Sequence, residues 1–146
     1  MKPIVRNVLA VLAGVVLGSV VNMAIVTSGP LIVPAPAGVD VSDPASLRDS
    51  MHLFGPQHFA MPFLAHALGS LVGALVAFLL AATHRRAFAY GIGAFFLLGG
   101  IAASLMIPAP LWFIVLDLVV AYLPMAWLAS VIGQRLSAGR VAPSSA

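Results

Sequence analysis

LWFIVLDLVVAYLP, Leu111 to Pro124, is apolar enough to dissolve in lipid, yet it carries a carboxylate at Asp117. It opens an apolar run from Leu111 to Ile132, and a helix of about 20 such residues crosses a bilayer. An aspartate at the centre of that helix costs ~2.5 to 3.5 kcal/mol on insertion scales. Twelve Leu, Ile, Val and Phe residues in the run offset it at about 0.3 to 0.6 kcal/mol each near the centre. The helix therefore inserts with Asp117 inside it. An ionisable group at that depth is a functional candidate by default.

Three further runs have spanning length: Ile4 to Val26, Phe59 to Ala82 and Ala87 to Ile107. Across 146 residues, 62% are hydrophobic and 8% charged, with a mean hydropathy of +1.10. A soluble domain of this size needs several times more charge to keep its surface in water. The expected fold is an all-α membrane protein, a single four-helix bundle. Pro108, Ala109 and Pro110 punctuate the last two spans, His84, Arg85 and Arg86 form the turn before the third, and residues 134–146 read as a disordered tail.

The basic residues orient the bundle. Lys2, Arg6, Arg85, Arg86, Arg135 and Arg140 fall on one side, and Arg48 alone falls on the other with Asp40, Asp43 and Asp49. By the positive-inside rule both termini are expected in the cytoplasm. The same asymmetry accounts for a pI of about 10.2 without nucleic acid as a partner. Lys2, Arg6 and the apolar run behind them resemble a signal peptide, but Ser19 to Gly29 offers no A-x-A cleavage site, so a retained helix is expected.

The loop at residues 34–57 has content of its own. PAPAGVD is an extended lead-in; Ser42 or Asp43 then supplies an N-cap, with Pro44 at the first helical position and Gly55 and Pro56 as the stop. Leu47, Met51 and Phe54 recur at helical spacing as one apolar stripe. A short amphipathic helix lying flat on the outer membrane surface is expected, with a lid over the bundle mouth as the alternative.

Within the spans, polar side chains share faces with small ones. His66 lies over Gly69, Ser70, Gly73 and Ala77, and Asn22 lies beside Gly18 and Ser19. Gly93, Gly100 and Ser104 share a face with Tyr90, and Asp117 shares one with Ala121 and Pro124. Gly14 with Gly18, and Gly69 with Gly73, are GxxxG pairs that let helices approach closely. LGSVV at Leu17 and LGSLV at Leu68 are alike but run in opposite directions, and no internal repeat is inferred. Trp112 reads as an interface anchor, with Trp127 toward the inner side. At 1.5 Å per residue Asp117 lies about 10 Å below the outer end of its helix, with His66 and Asn22 near that level and Ser104 somewhat shallower. Asp117, His66, Asn22 and Ser104 are thus the candidates for handling a proton or ligand. The structural alternative for Asp117 is a protonated carboxyl bonded to the Val120 carbonyl, which Pro124 frees.

Other chemistry has little support. The chain has no cysteine and no glutamate, and no P-loop, G-x-S-x-G or dinucleotide fingerprint, which weighs against an enzyme. Ser70 or Ser104 beside His66 would be a minimal hydrolase pair. His52, His58 and His66 are the only metal candidates; their spacing matches no established pattern, so neither a metal nor a cofactor is expected. HALGSLVGA and IPAPLWFIVLDLVVAYLPMAW resemble segments of a group of small bacterial four-helix membrane proteins, over most of Asn22 to Trp127. The resemblance implies four spans in a bacterial inner membrane and carries over no activity. The expected function is handling of a proton, ion or small solute. The alternatives are an accessory subunit and a membrane-embedded enzyme acting on a lipid-soluble substrate. Four spans leave little room for a pathway, and the GxxxG faces suggest a homo-oligomer or another membrane protein as partner.

Overall fold

The structure, a computed structural model, describes residues 1–107 and 109–139. Pro108, Arg140 and the rest of the expected tail lie outside the described residues. Four helices are long and apolar enough to cross a membrane, over Pro3–Ile32, Pro56–Leu80, Arg85–Met106 and Leu111–Ala138. The elements are α1 (Pro3–Ile32), α2 (Pro44–Asp49), α3 (Ala60–Leu80), α4 (Arg85–Met106), α5 (Leu111–Val120) and α6 (Leu123–Ala138), with short 3-10 turns at Met51–Leu53 and Pro56–Phe59.

Several boundaries differ from the sequence reading. Helix α1 continues past Val26 to Ile32, and Arg85 and Arg86 open α4 rather than the turn before it. The final helix reaches Ala138, so residues 134–138 are helical and not part of a tail. The fourth span is broken. Pro124 has no N–H to give the Val120 carbonyl and its ring clashes with it. The chain accordingly leaves α5 at Val120, passes through Tyr122 at φ −121° and ψ −78°, and starts again at Leu123.

Helix α3 is the hub and packs against α1, α4 and α6. Its contact with α1 is made by the two GxxxG pairs, set antiparallel and face to face. A β-carbon on Gly14 would lie 2.7 Å from the Gly73 carbonyl oxygen, and one on Gly18 would lie 2.7 Å from that of Gly69. The backbones touch, and any side chain there would separate them. LGSVV and LGSLV therefore meet across one seam inside the chain. These motifs are spent within the bundle, so they offer no argument for a second copy. Helix α4 meets α6 in the same manner, where a β-carbon on Gly93 would fall 2.7 Å from that of Ala126. Outward, α1 exposes Val8, Leu12, Val16, Val20 and Met23, as a lipid-facing helix should.

One end of the bundle is tied by polar caps. Asn7 accepts from the Ala82 N–H at 2.8 Å and donates to Thr83 Oγ1 at 2.9 Å, holding the tight turn that His84 completes at φ 47°. Arg6 donates to the Leu80 carbonyl, Arg85 to Ala81 and Ser137, and Arg86 to Gln134. The opposite end is roofed by the long loop. Asp43 caps α2 by accepting from the Ala45 and Ser46 N–H groups. The Ser42 hydroxyl and N–H both donate to Asp40 and hold its carboxyl below the usual carboxylate value. Leu47, Met51 and Phe54, the apolar stripe, line a cavity over the bundle mouth. The apolar stripe thus faces the cavity, and only Pro44–Asp49 of the expected loop helix is α-helical, with Met51 and Phe54 beyond it. Arg48 fastens the loop by donating to the Met106 carbonyl at 3.1 Å, at the negative end of α4, which gives this isolated basic residue its role.

Candidate functional site

Helices α3 and α5 start at the same end of the bundle, and His66 and Asp117 are each the seventh residue of their helix. They therefore lie at one level, about 9 Å in from the helix starts. They meet there. The His66 Nδ1 lies 2.9 Å from Asp117 Oδ1 and 3.0 Å from Oδ2. With Asp117 ionised, the carboxylate only accepts, and Nδ1 would carry the hydrogen and share it between the two oxygens. The Tyr122 hydroxyl donates to Oδ2 at 2.8 Å, and its ring stacks on the His66 imidazole at 5.8 Å between centroids. Asp117 is 4% exposed and Tyr122 2%. Two donors on a carboxylate at this depth are what the hydrocarbon region demands of it. The carboxyl engages these two groups, not the Val120 carbonyl.

Tyr122 has no part in the sequence reading of the site. In an unbroken helix a residue five positions on points about 140° away around the axis. The break before Pro124 turns Tyr122 back toward Asp117, so the visible signal was the proline. Space for the ring comes from α4: a β-carbon on Gly100 would collide with the Tyr122 hydroxyl. Gly100, expected only as a packing glycine, thus completes the polar cluster.

The other candidates fall elsewhere. Asn22 packs against α3, with its β-carbon 3.0 Å from where one on Gly69 would stand. Among the described residues it makes no hydrogen bond to His66 or Asp117, so it does not position the pair. Ser104 lines the cavity, but its hydroxyl donates to the Ile101 carbonyl of its own helix at 2.8 Å. Ser70 is fully buried, and its Oγ has no partner among the described residues. Neither serine bonds His66, so a hydrolase pair is not assembled. His52 and His58 bond the neighbouring backbone at Asp49 and Gly55, and no group of three metal-ligating side chains forms among the described residues.

The cavity under the loop has a volume of about 390 Å³, within the usual range of small-molecule sites, about 300–1,000 Å³. All four spans contribute to its wall, for example Gly29, Met61, Ala103 and Ile114, and His66 and Asp117 lie on it. One chain thus encloses space of small-molecule size, though a cavity is not a pathway across the bundle. Fold and site together define an all-helical protein, with four helices long and apolar enough to cross a membrane and a buried His–Asp–Tyr cluster beside an apolar cavity. No protein-family model, curated protein or solved structure matches the chain.

Proposed function

We propose that this is a bacterial inner-membrane protein, with both termini in the cytoplasm, that handles a proton at His66 and Asp117 together with a small solute in the adjoining cavity. One observation carries the reading: the imidazole that holds the buried carboxylate also lines the cavity. A proton taken up or released on the cavity side of His66 changes the charge balance of the pair, and with it the cavity wall. A bare ion fits less well, because both carboxylate oxygens are already engaged. Orientation is supported by Lys2, Arg6, Arg85, Arg86 and Arg135, and the bacterial inner membrane by the resemblance described above. In this reading one bundle is sufficient for the site, and a partner would dock on the lipid-facing surface.

A second reading has its own support. Both oxygens of Asp117 are engaged inside the bundle, as in a structural clamp joining α3, α5 and the N-cap of α6. Infrared spectroscopy of the protein in nanodiscs separates the two. The Asp117 carboxyl band, assigned by its loss in Asp117→Asn, is expected to respond to pH and to shift in His66→Ala. A band insensitive to both would leave a clamp and remove the proton-handling function.

A further inference from the structure

The cavity has a sharply unequal lining. Its body is hydrocarbon, with Met61, Phe113 and Ile114 from the spans and Leu47, Met51 and Phe54 from the loop. Its polar atoms are few and mostly committed. The Asp117 oxygens are taken by His66 and Tyr122, the Ser104 hydroxyl by Ile101, and the His58 Nδ1 by Gly55. His58 also sits at the mouth, ahead of the first turn of α3, whereas His66 lies two turns deeper.

The second ring nitrogen of His58 is also without a partner among the described residues, but at the mouth, so at depth the free side-chain nitrogen is the second one of His66. Its side chain is 23% exposed, and Nε2 has no hydrogen-bond partner among the described residues, though it is not among their enclosed unpartnered atoms. With Nδ1–H donating to a carboxylate, Nε2 of the neutral ring is an acceptor. No lysine or arginine is among the described residues that line the cavity, so an anionic head has no counter-charge. A cationic head would have to compete with His66 and Tyr122 for the Asp117 oxygens.

We propose that the cavity binds an uncharged, lipid-soluble molecule with a single hydroxyl head, whose O–H donates to His66 Nε2 while its apolar body lies beneath the loop. This rests on the reading of the cavity as a solute site and names the solute's class. The hydroxyl is the part selected. An otherwise identical molecule without it would leave Nε2 facing hydrocarbon, and sites built for a hydrogen bond discriminate strongly against such analogues.

The test is saturable binding to the full chain in nanodiscs, corrected for partition into empty nanodiscs. The probes are 2-naphthol, 2-methoxynaphthalene, which has the same rings but no O–H, and 2-naphthoate, which is anionic. 2-Naphthol is expected to saturate at about one per chain and to bind about tenfold more tightly than 2-methoxynaphthalene, the scale of one buried hydrogen bond. Naphthoate is expected not to saturate. His66→Phe keeps a ring against Tyr122 and should abolish the preference, His58→Ala should retain it, and Ala103→Trp should block both neutral probes by filling the cavity. Equal binding of the two neutral probes, tighter binding of naphthoate, or indifference to Ala103→Trp would overturn the proposal, as would a preference that disappears with His58 and not with His66. The three-probe comparison on the unmodified chain decides even if a variant fails to fold. The infrared titration needs no ligand, so a failed probe preference with a titrating Asp117 rejects the solute class alone. A silent Asp117 with an intact preference rejects only the proton reading.

Discussion

The hydroxyl of Tyr122 occupies the volume that a β-carbon on Gly100 would need. That hydroxyl is also one of the two donors on Asp117, so a glycine on α4 controls the polar cluster without bonding to it. Gly100→Ala should push Tyr122 off the carboxylate and destabilise the protein by about 1–3 kcal/mol, the usual range for overpacking. Tyr122→Phe removes the same hydrogen bond and part of the collision. The double variant should therefore cost less than the sum of the singles, measured by thermal melting in detergent. Full additivity would separate Gly100 from the cluster.

Removing one partner of the buried pair should be worse than removing both. His66→Ala leaves a carboxylate without its main donor, a loss on the order of 3 kcal/mol. Asp117→Asn restores a neutral group that can both donate and accept. The His66→Ala, Asp117→Asn double variant should melt above His66→Ala alone. A lower melting point for the double would mean that the carboxylate is not the destabilising element.

The seam between α1 and α3 predicts a fold defect inside one chain. Gly73→Leu drives a side chain into the Gly14 carbonyl and should reduce the folded fraction severely. Leu98→Ala, on a lipid-facing position 67% exposed, should change the melting point little. Leu79 is unsuitable as that control because it packs against the core beside Phe78 and Ala89. If Gly73→Leu altered only the apparent mass in detergent and left the melting point unchanged, the seam would have to lie between copies.

Topology can be read with single cysteines, since the chain has none. Ala45→Cys in the loop and Ala138→Cys at the end of α6 are both exposed positions. An impermeant maleimide should label Ala45→Cys in intact cells and Ala138→Cys only after the membrane is opened. Labelling of both from outside would exclude a cytoplasmic C-terminus.

The four spans, and the presence of a costly carboxylate in the last one, were legible in the sequence because insertion is a sum over the residues of one segment. The depth match of His66 and Asp117 was legible as well, since both helices count from the same end. Rotation was not. Asn22 shares their level but turns toward Gly69. Ser104 reaches the cavity wall yet spends its hydroxyl on its own helix. Pro124 announced a disturbance without saying that it would bring Tyr122 back over Asp117. The apolar stripe of the loop was equally consistent with lying on a membrane or closing a cavity. These outcomes depend on how closely two backbones approach at Gly14 and Gly73, and on the space Gly100 leaves across the bundle. Such distances join residues far apart in the chain, and only the packed helices set them.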